Sequence, residues 1–132
     1  MKLTSSIISL VAFFSFASAN IVTATHNAKY DEGSTFIEDL TCSWTLKAKY
    51  SKLASLPNWP KIGGYANAAC GSCWEVAFSL RNPIYVLSVD NAGDGFQVSA
   101  SVLDSFGGLG AEYNDLPVTV TPVDKSKCGL SA

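Results

Sequence analysis

Four cysteines, one histidine and a few well-placed carboxylates are the residues of this 132-residue chain whose types could do chemistry. Cys70 and Cys73 form a Cys-x-x-Cys, with Cys42 upstream and Cys128 near the C-terminus. A redox dithiol of that form sits at a helix N-terminus, where the dipole lowers the thiol pKa. Here Trp74-Glu75-Val76-Ala77-Phe78 follows with strand-like alternation, which argues against redox chemistry. A lone Cys-x-x-Cys without a nearby histidine also falls short of a zinc site. His26 is the one histidine, so any Ser-His-Asp or Cys-His machinery would have to pass through it, and no serine stands in a nucleophile-elbow pattern. We read His26 as a surface residue at a strand end. The glycines follow no phosphate-loop spacing, and no cluster of His, Cys and carboxylates suggests a metal, so neither cofactor nor metal is expected.

Asp90 ends an apolar run and precedes Asn91-Ala92-Gly93-Asp94-Gly95. An aspartate so placed commonly makes an Asx turn onto the backbone that follows. Trp44, Tyr50, Trp59 and Tyr65 fall in the irregular half of the chain. A flat ring there can stack on a sugar face or pack the end of a domain, and at least one of the four is expected to be exposed. Trp74 alternates with Val76 and Phe78 and is expected in the core.

The elements that must hold these residues begin after an export signal. Lys2 supplies a positive start, Ile7 to Phe16 is apolar, and Ala17-Ser18-Ala19 is a small-residue cleavage pattern, so residues 1–19 are read as a signal peptide. An apolar stretch of about ten residues is too short to span a bilayer, and no later segment reaches the length of about 20 that a span requires. The domain is expected at residues 20–132, secreted to the extracellular space or cell wall. In an oxidising compartment four cysteines point to two disulfides, for which three pairings exist. The two pairings that do not join Cys70 to Cys73 close long loops, each contributing on the order of 3 to 4 kcal/mol. With 48% hydrophobic and 15% charged residues the chain is neither disordered nor a coiled coil. Its net charge of −2 offers nothing to a polyanion, which excludes a nucleic-acid partner bound through phosphates.

Within the domain, Ile21 to Thr25 is a candidate strand and Tyr30 to Asp39 a polar loop leading to a short strand near Leu40 to Ser43. Lys47 to Leu56 is expected to be a helix, with Tyr50, Leu53 and Ala54 on one face and Pro57 as its stop. Pro57 to Gly64, with two Pro and two Gly, is expected to be irregular. Trp74 to Leu80 and Ile84 to Val89 form a hairpin across Arg81-Asn82-Pro83. Phe96 to Val98 is a short strand, Ser99 to Phe106 a helix capped by Ser99, and Pro117 to Val123 a final strand. Gly107, Gly108 and Gly110 break the chain between them. About six short strands around one core, too few for a sandwich, suggest a small barrel.

Several segments together resemble the cerato-platanin family of small secreted fungal proteins. Cys70-Gly71-Ser72-Cys73-Trp74 is similar to its C-G-[ST]-C-W signature, and Trp59-Pro60-Lys61-Ile62-Gly63-Gly64 to its aromatic-Pro-x-aliphatic-Gly-Gly segment. Val86-Leu87-Ser88-Val89-Asp90 with Asp94-Gly95-Phe96-Gln97-Val98 parallels a strand ending in Asp followed by D-G-F-N, and Cys128-Gly129-Leu130 matches a terminal C-G-L. The resemblance implies a mainly β fold, a six-stranded double-psi β-barrel with one or two short helices and two disulfides. It relates the chain to expansins, barwin-like proteins and family 45 glycoside hydrolases, and implies the pairs Cys42–Cys70 and Cys73–Cys128. Three departures lie in regions expected at the surface: His26-Asn27 replaces the first of two Tyr-Asp pairs, Ser43 to Lys49 replaces a polar Asn-Gly-Leu loop, and Tyr65 to Ala69 lacks Trp-Asn-Ser.

In the related hydrolases and expansins an Asp at the position of Asp90 protonates or contacts a glycosidic oxygen. A glycosidase would need a second carboxylate, about 5.5 Å away for retention or roughly 6.5 to 9.5 Å for inversion. Asp31 and Asp94 are the nearest candidates by motif, but the Tyr-Asp setting of Asp31 is the cerato-platanin pattern. The resemblance therefore implies a protein that is not an enzyme. It implies a carbohydrate-binding barrel for chitin or N-acetylglucosamine oligomers or other cell-wall polysaccharide, with Tyr30, Asp31, Trp59, Gly63, Gly64, Asp90 and Asn91 as contacts. Expansin-like loosening of polysaccharide and elicitation of plant immune components follow from the same resemblance. Self-association into a surface-active structural layer is the alternative, and weak glycoside hydrolysis a third.

Overall fold

The computed structural model describes residues 20–65, 71–91, 95–106 and 115–130. The expected signal segment, Cys70, Asp94 and Gly107 to Gly110 lie outside them. Six strands make the body of the fold: β1 (Asn20–His26), β2 (Ile62–Tyr65), β3 (Cys73–Ala77), β4 (Ile84–Asp90), β5 (Phe96–Val98) and β6 (Leu116–Val123). They close into a barrel in the order β1-β5-β2-β4-β3-β6. The pairs β1–β5 and β2–β4 are parallel and the others antiparallel, so the expected six-stranded barrel is present.

Strand alternation explains the two hydrophobic clusters. Ala24, Val76, Val86, Phe96, Val98, Val118 and Val120 point inward, and Val102, Leu103 and Phe106 of α2 (Ala100–Asp104) and its end pack onto the same cluster. Trp74 joins it, its ring edge-on to Tyr65 with centroids 4.7 Å apart and its indole N–H donating to Ser72 Oγ at 2.8 Å. The opposite faces of β2 and β4 carry Ile62, Leu87 and Val89, which pack under Tyr30, Ile37, Leu40, Leu46, Leu53 and Leu56. Residues 27–61 thus form an outer layer over one side of the barrel. β4 is buried on both faces, which is why Val86-Leu87-Ser88-Val89 reads as a nearly continuous apolar run. Burying each such Leu or Val contributes about 1.5–3 kcal/mol.

The expected hairpin is present, with Arg81 N–H donating to Phe78 O at 3.1 Å, although β3 stops at Ala77. Three expectations are corrected. Residues 40–43 form no strand; a 3-10 turn at Ile37–Asp39 runs toward a one-turn helix, α1 (Ser43–Leu46). The expected helix over 47–56 does not form beyond a 3-10 turn at Leu53–Ser55. The backbone there is bonded elsewhere: Ile37 N–H donates to Ser51 O, Leu53 N–H to Thr35 O and Ala54 N–H to Gly33 O. The third is Ile62 to Tyr65, whose Ile-Gly-Gly stretch was expected to be irregular and is found in β2, a fully buried strand between β4 and β5. Its glycine permits that position: a Cβ on Gly63 would stand 2.5 Å from Gln97 O. Glycine inside a strand marks such a close backbone approach.

Cys73 and Cys128 form the expected disulfide, with Cα atoms 5.8 Å apart, tying the start of β3 to the terminal 3-10 turn Lys125–Cys128. Closing that 55-residue separation stabilises by about 4 kcal/mol in the chain-entropy model. Cys42 is also disulfide-bonded, and its implied partner Cys70 is outside the described residues.

Candidate functional site

Asp90 is the last residue of β4, and a register irregularity decides which way it faces. Gly63 pairs with Ser88 but Gly64 pairs with Asp90, so β4 carries an extra residue at this point. Strict alternation would turn Asp90 inward with Val86 and Ser88. The bulge instead brings it to the side of Val89, under the outer layer, as bulges commonly re-aim a side chain. There Asp90 Oδ1 accepts from Thr41 N–H at 2.8 Å, and Oδ2 accepts from Lys29 Nζ at 2.8 Å and Tyr30 Oη at 3.1 Å. Burial alone would raise its pKa, but the bonds from Lys29 and Thr41, together with the Lys29 charge, hold it below the ordinary carboxylate value. Burial, then the negative charge of Asp90 and the bond to it, push the Tyr30 hydroxyl well above the usual tyrosine range. The partners described for the Asp90 carboxylate are thus residues of the outer layer; residues 92–94, part of the backbone an Asx turn would use, lie outside the described residues.

Lys29, Tyr30 and Asp31 all lie in one 3-10 turn, Ala28–Asp31, which opens on Asn27, whose side-chain oxygen accepts from Lys29 N–H at 3.0 Å. Tyr30 is buried beneath the turn and shares Asp90 with Lys29, while Asp31 is directed elsewhere. Asp31 Oδ1 accepts from Ala100 N–H at 2.7 Å and its Oδ2 lies 2.7 Å from His26 Nε2. The expected Ser99 cap is replaced in this way: Ser99 precedes α2, but its hydroxyl donates to Pro60 O at 2.6 Å, and Asp31 takes the helix N–H from a distant part of the chain. Asn27 Nδ2 donates to Gln97 Oε1 at 2.7 Å.

These groups lie along one transverse row of the barrel wall. Thr25 pairs with Gln97, Gln97 with Gly64 and Gly64 with Asp90, which carries the row across β1, β5, β2 and β4. His26, Asn27 and Lys29 flank it from the chain leaving β1, and exposed Asn91 follows it at the end of β4. The result is a strip of amide, hydroxyl and paired charged groups.

Of the residues expected to contact saccharide, Tyr30, Asp31, Asp90 and Asn91 are brought together at this strip, but Tyr30 and Asp90 are buried. Gly63 and Gly64, expected as saccharide contacts, are buried in the barrel wall, where the missing side chain of Gly63 lets β2 approach β5. Trp59 is half-buried against the outer cluster, with its ring where a Cβ on Gly33 would be 3.3 Å away. Among the four rings offered for stacking, Tyr65 is buried between Trp74 and Phe96 and Tyr50 is half-buried; the side chain of Trp44 is outside the described set. Lys29, Asn27, Thr41 and Gln97 were not anticipated. The adjacency Lys29-Tyr30-Asp31 is the available signal: three consecutive polar tips in one tight turn need partners elsewhere, and Lys29 and Tyr30 converge on Asp90 while Asp31 turns to His26 and Ala100. Among the described residues no group of three or more His, Cys, Asp or Glu could hold a metal, and no helix is long and apolar enough to cross a membrane.

Known proteins share this architecture. Allergen Asp f 15 of Aspergillus fumigatus is 28% identical over 117 residues, spanning 81% of this chain and 76% of its own. The crystal structure of cerato-platanin 1 from M. perniciosa superposes with a TM-score of 0.74 at 30% identity, covering 81% of this chain and 98% of that one. The solution structure of the fungal elicitor cerato-platanin superposes with a TM-score of 0.71 at 27% identity, covering 81% and 96%. The family model for cerato-platanin matches residues 22–130, the stretch that holds nearly the whole barrel, the outer layer and the polar strip, and the chain belongs to the cerato-platanin family.

Proposed function

We propose that this protein is a secreted, non-catalytic carbohydrate-binding barrel that contacts chitin or N-acetylglucosamine oligomers, or related cell-wall polysaccharide, along the Thr25–Gln97–Gly64–Asp90 row. The observation that carries the reading is the chemistry of the strip. Its carboxylates already have partners within the protein, buried Asp90 from Lys29, Tyr30 and Thr41 and the partly exposed Asp31 from Ala100 with His26 beside it, and the Asn91 side-chain amide and the Lys29 ammonium are exposed next to them. A neutral polysaccharide is recognised by such groups. Asn91 and Lys29 are the contacts, with Trp59 kept as a further candidate ring, and Tyr30, Asp31 and Asp90 act as positioning residues.

The same bonds argue against hydrolysis. A general acid needs a carboxyl kept protonated by a raised pKa, whereas that of Asp90 is lowered and its oxygens accept from ionic and neutral donors. By membership of a family that includes a protein described as a fungal elicitor, elicitation of plant defence belongs to the proposal. Expansin-like loosening, by competition for inter-chain hydrogen bonds without bond cleavage, belongs to it too. Calorimetric titration with soluble chitin oligomers tests the reading: wild type binds and Asp90→Ala binds more weakly. No binding by the wild type removes the reading, and equal affinity removes Asp90 from the site.

A further inference from the structure

The ion pair at the centre of the strip is oriented. The Asp90 side chain is 4% exposed and that of Lys29 45%, so the negative end is inside the wall and the positive end faces solvent. Two contacts hold the ammonium there, Asp90 Oδ2 at 2.8 Å and the ring of Tyr30, whose centroid is 5.9 Å from Nζ. An ammonium group carries three N–H donors, and Asp90 Oδ2 takes one. A ligand atom in contact with Nζ is nearer to that charge than to the carboxylate behind it, and the nearer charge dominates the interaction. The other carboxylate of the turn, Asp31, is directed to His26 and to the Ala100 N–H.

We infer that Lys29 is the ligand-facing, specificity-determining residue of this strip, and that it selects sugars bearing an acceptor carbonyl, such as an acetamide, over the same sugars bearing a free, protonated amine. The inference rests on the carbohydrate-binding reading above. The carbonyl oxygen of an N-acetyl group accepts a charge-assisted hydrogen bond from Nζ. A protonated amine at the same place meets a like charge and has no lone pair to offer. Asp90 then acts through Lys29, by fixing where the ammonium stands.

The experiment is calorimetric titration of the full chain with a chitin oligomer and with its fully deacetylated counterpart of the same length, at a mildly acidic pH where the free amines are protonated. Wild type is expected to prefer the acetylated oligomer by about tenfold or more. In Lys29→Gln and Lys29→Met, checked for folding by thermal unfolding, the preference falls to within about twofold, while Lys29→Arg retains it. Equal binding of the two oligomers by the wild type overturns the inference without need of any variant and leaves the carbohydrate-binding reading standing. An unchanged preference in a folded Lys29→Gln overturns it as well. A wild type that binds neither oligomer overturns the carbohydrate reading itself, and the inference with it.

Discussion

Lys29 Nζ and Asp90 Oδ2 are 2.8 Å apart although 61 positions of sequence separate the two residues. Their contact ties the turn that leaves β1 to the end of β4. Tyr30 and Thr41 bond the same carboxylate, so one buried Asp fastens the outer layer at three points. The polar strip of this cerato-platanin is therefore held in shape by a group that is itself hidden from solvent.

Replacing Asp90 with Ala leaves Tyr30 Oη and Thr41 N–H without their acceptor in a buried setting. The expected loss is about 2–4 kcal/mol in urea unfolding, discounted for the exposure of Lys29. Asp90→Asn, which keeps an acceptor oxygen, should lose less. A loss below that of an ordinary surface substitution would show that the outer layer is fastened elsewhere.

Acid should loosen the same contact. The folded-state pKa of Asp90 is depressed below its unfolded value near 3.8, so its contribution is present above that value and lost as pH falls through the folded pKa. Tyr30 has the opposite sign: its folded pKa is raised, so its contribution is present below about pH 10 and lost as pH rises beyond the ordinary tyrosine value toward the folded one. Thermal unfolding across pH should show Asp90→Asn with a flatter acid limb than wild type, and Tyr30→Phe with a flatter alkaline limb.

Gly63→Ala would place a methyl 2.5 Å from Gln97 O and close to the side chains of Val98 and Phe96. Since the clash is with backbone, β2 and β5 must separate, at a cost of about 2–3 kcal/mol or more. Denaturant unfolding of the variant measures it, and a midpoint equal to wild type would contradict the close approach.

Ser88 is fully buried on β4, and its Oγ has no hydrogen-bond partner among the described residues. Removing a buried hydroxyl that is not satisfied lifts its desolvation cost, so Ser88→Ala is expected to be neutral or stabilising by up to about 1 kcal/mol. A clear destabilisation in urea would mean that the hydroxyl is in fact bonded.

Local patterns in the sequence were enough for five of the six strands, because alternation of apolar and polar residues over a few positions is the signature of a chain lying on a core. The apolar stretch from Ile84 to Val89 needs no partner to be recognised as β4, and Ser99 followed by Val102 and Leu103 announces α2. The sixth strand was misplaced, expected near Leu40 to Ser43 and found at Ile62 to Tyr65. Gly63 and Gly64 look locally like a loop, and only the neighbouring β5, close enough to exclude a Cβ, explains why glycine belongs in that strand.

The site divides in the same way. Asp90 at a strand end and the Tyr30-Asp31 pair were legible as types and positions, and the four-segment resemblance led to the family, its barrel and the Cys73–Cys128 bridge. Tertiary structure decided what those side chains do. Which face Asp90 presents depends on a register shift between β2 and β4, a property of two strands meeting, with no trace in either one alone. Its bonds from Lys29 and Thr41, and the bond that the first N–H of α2 donates to Asp31, join residues 49 to 69 positions apart. Contacts of that range form only when the barrel closes, since a short stretch of chain encodes its own periodicity and turns while the neighbour it will meet is set by the packing of the whole.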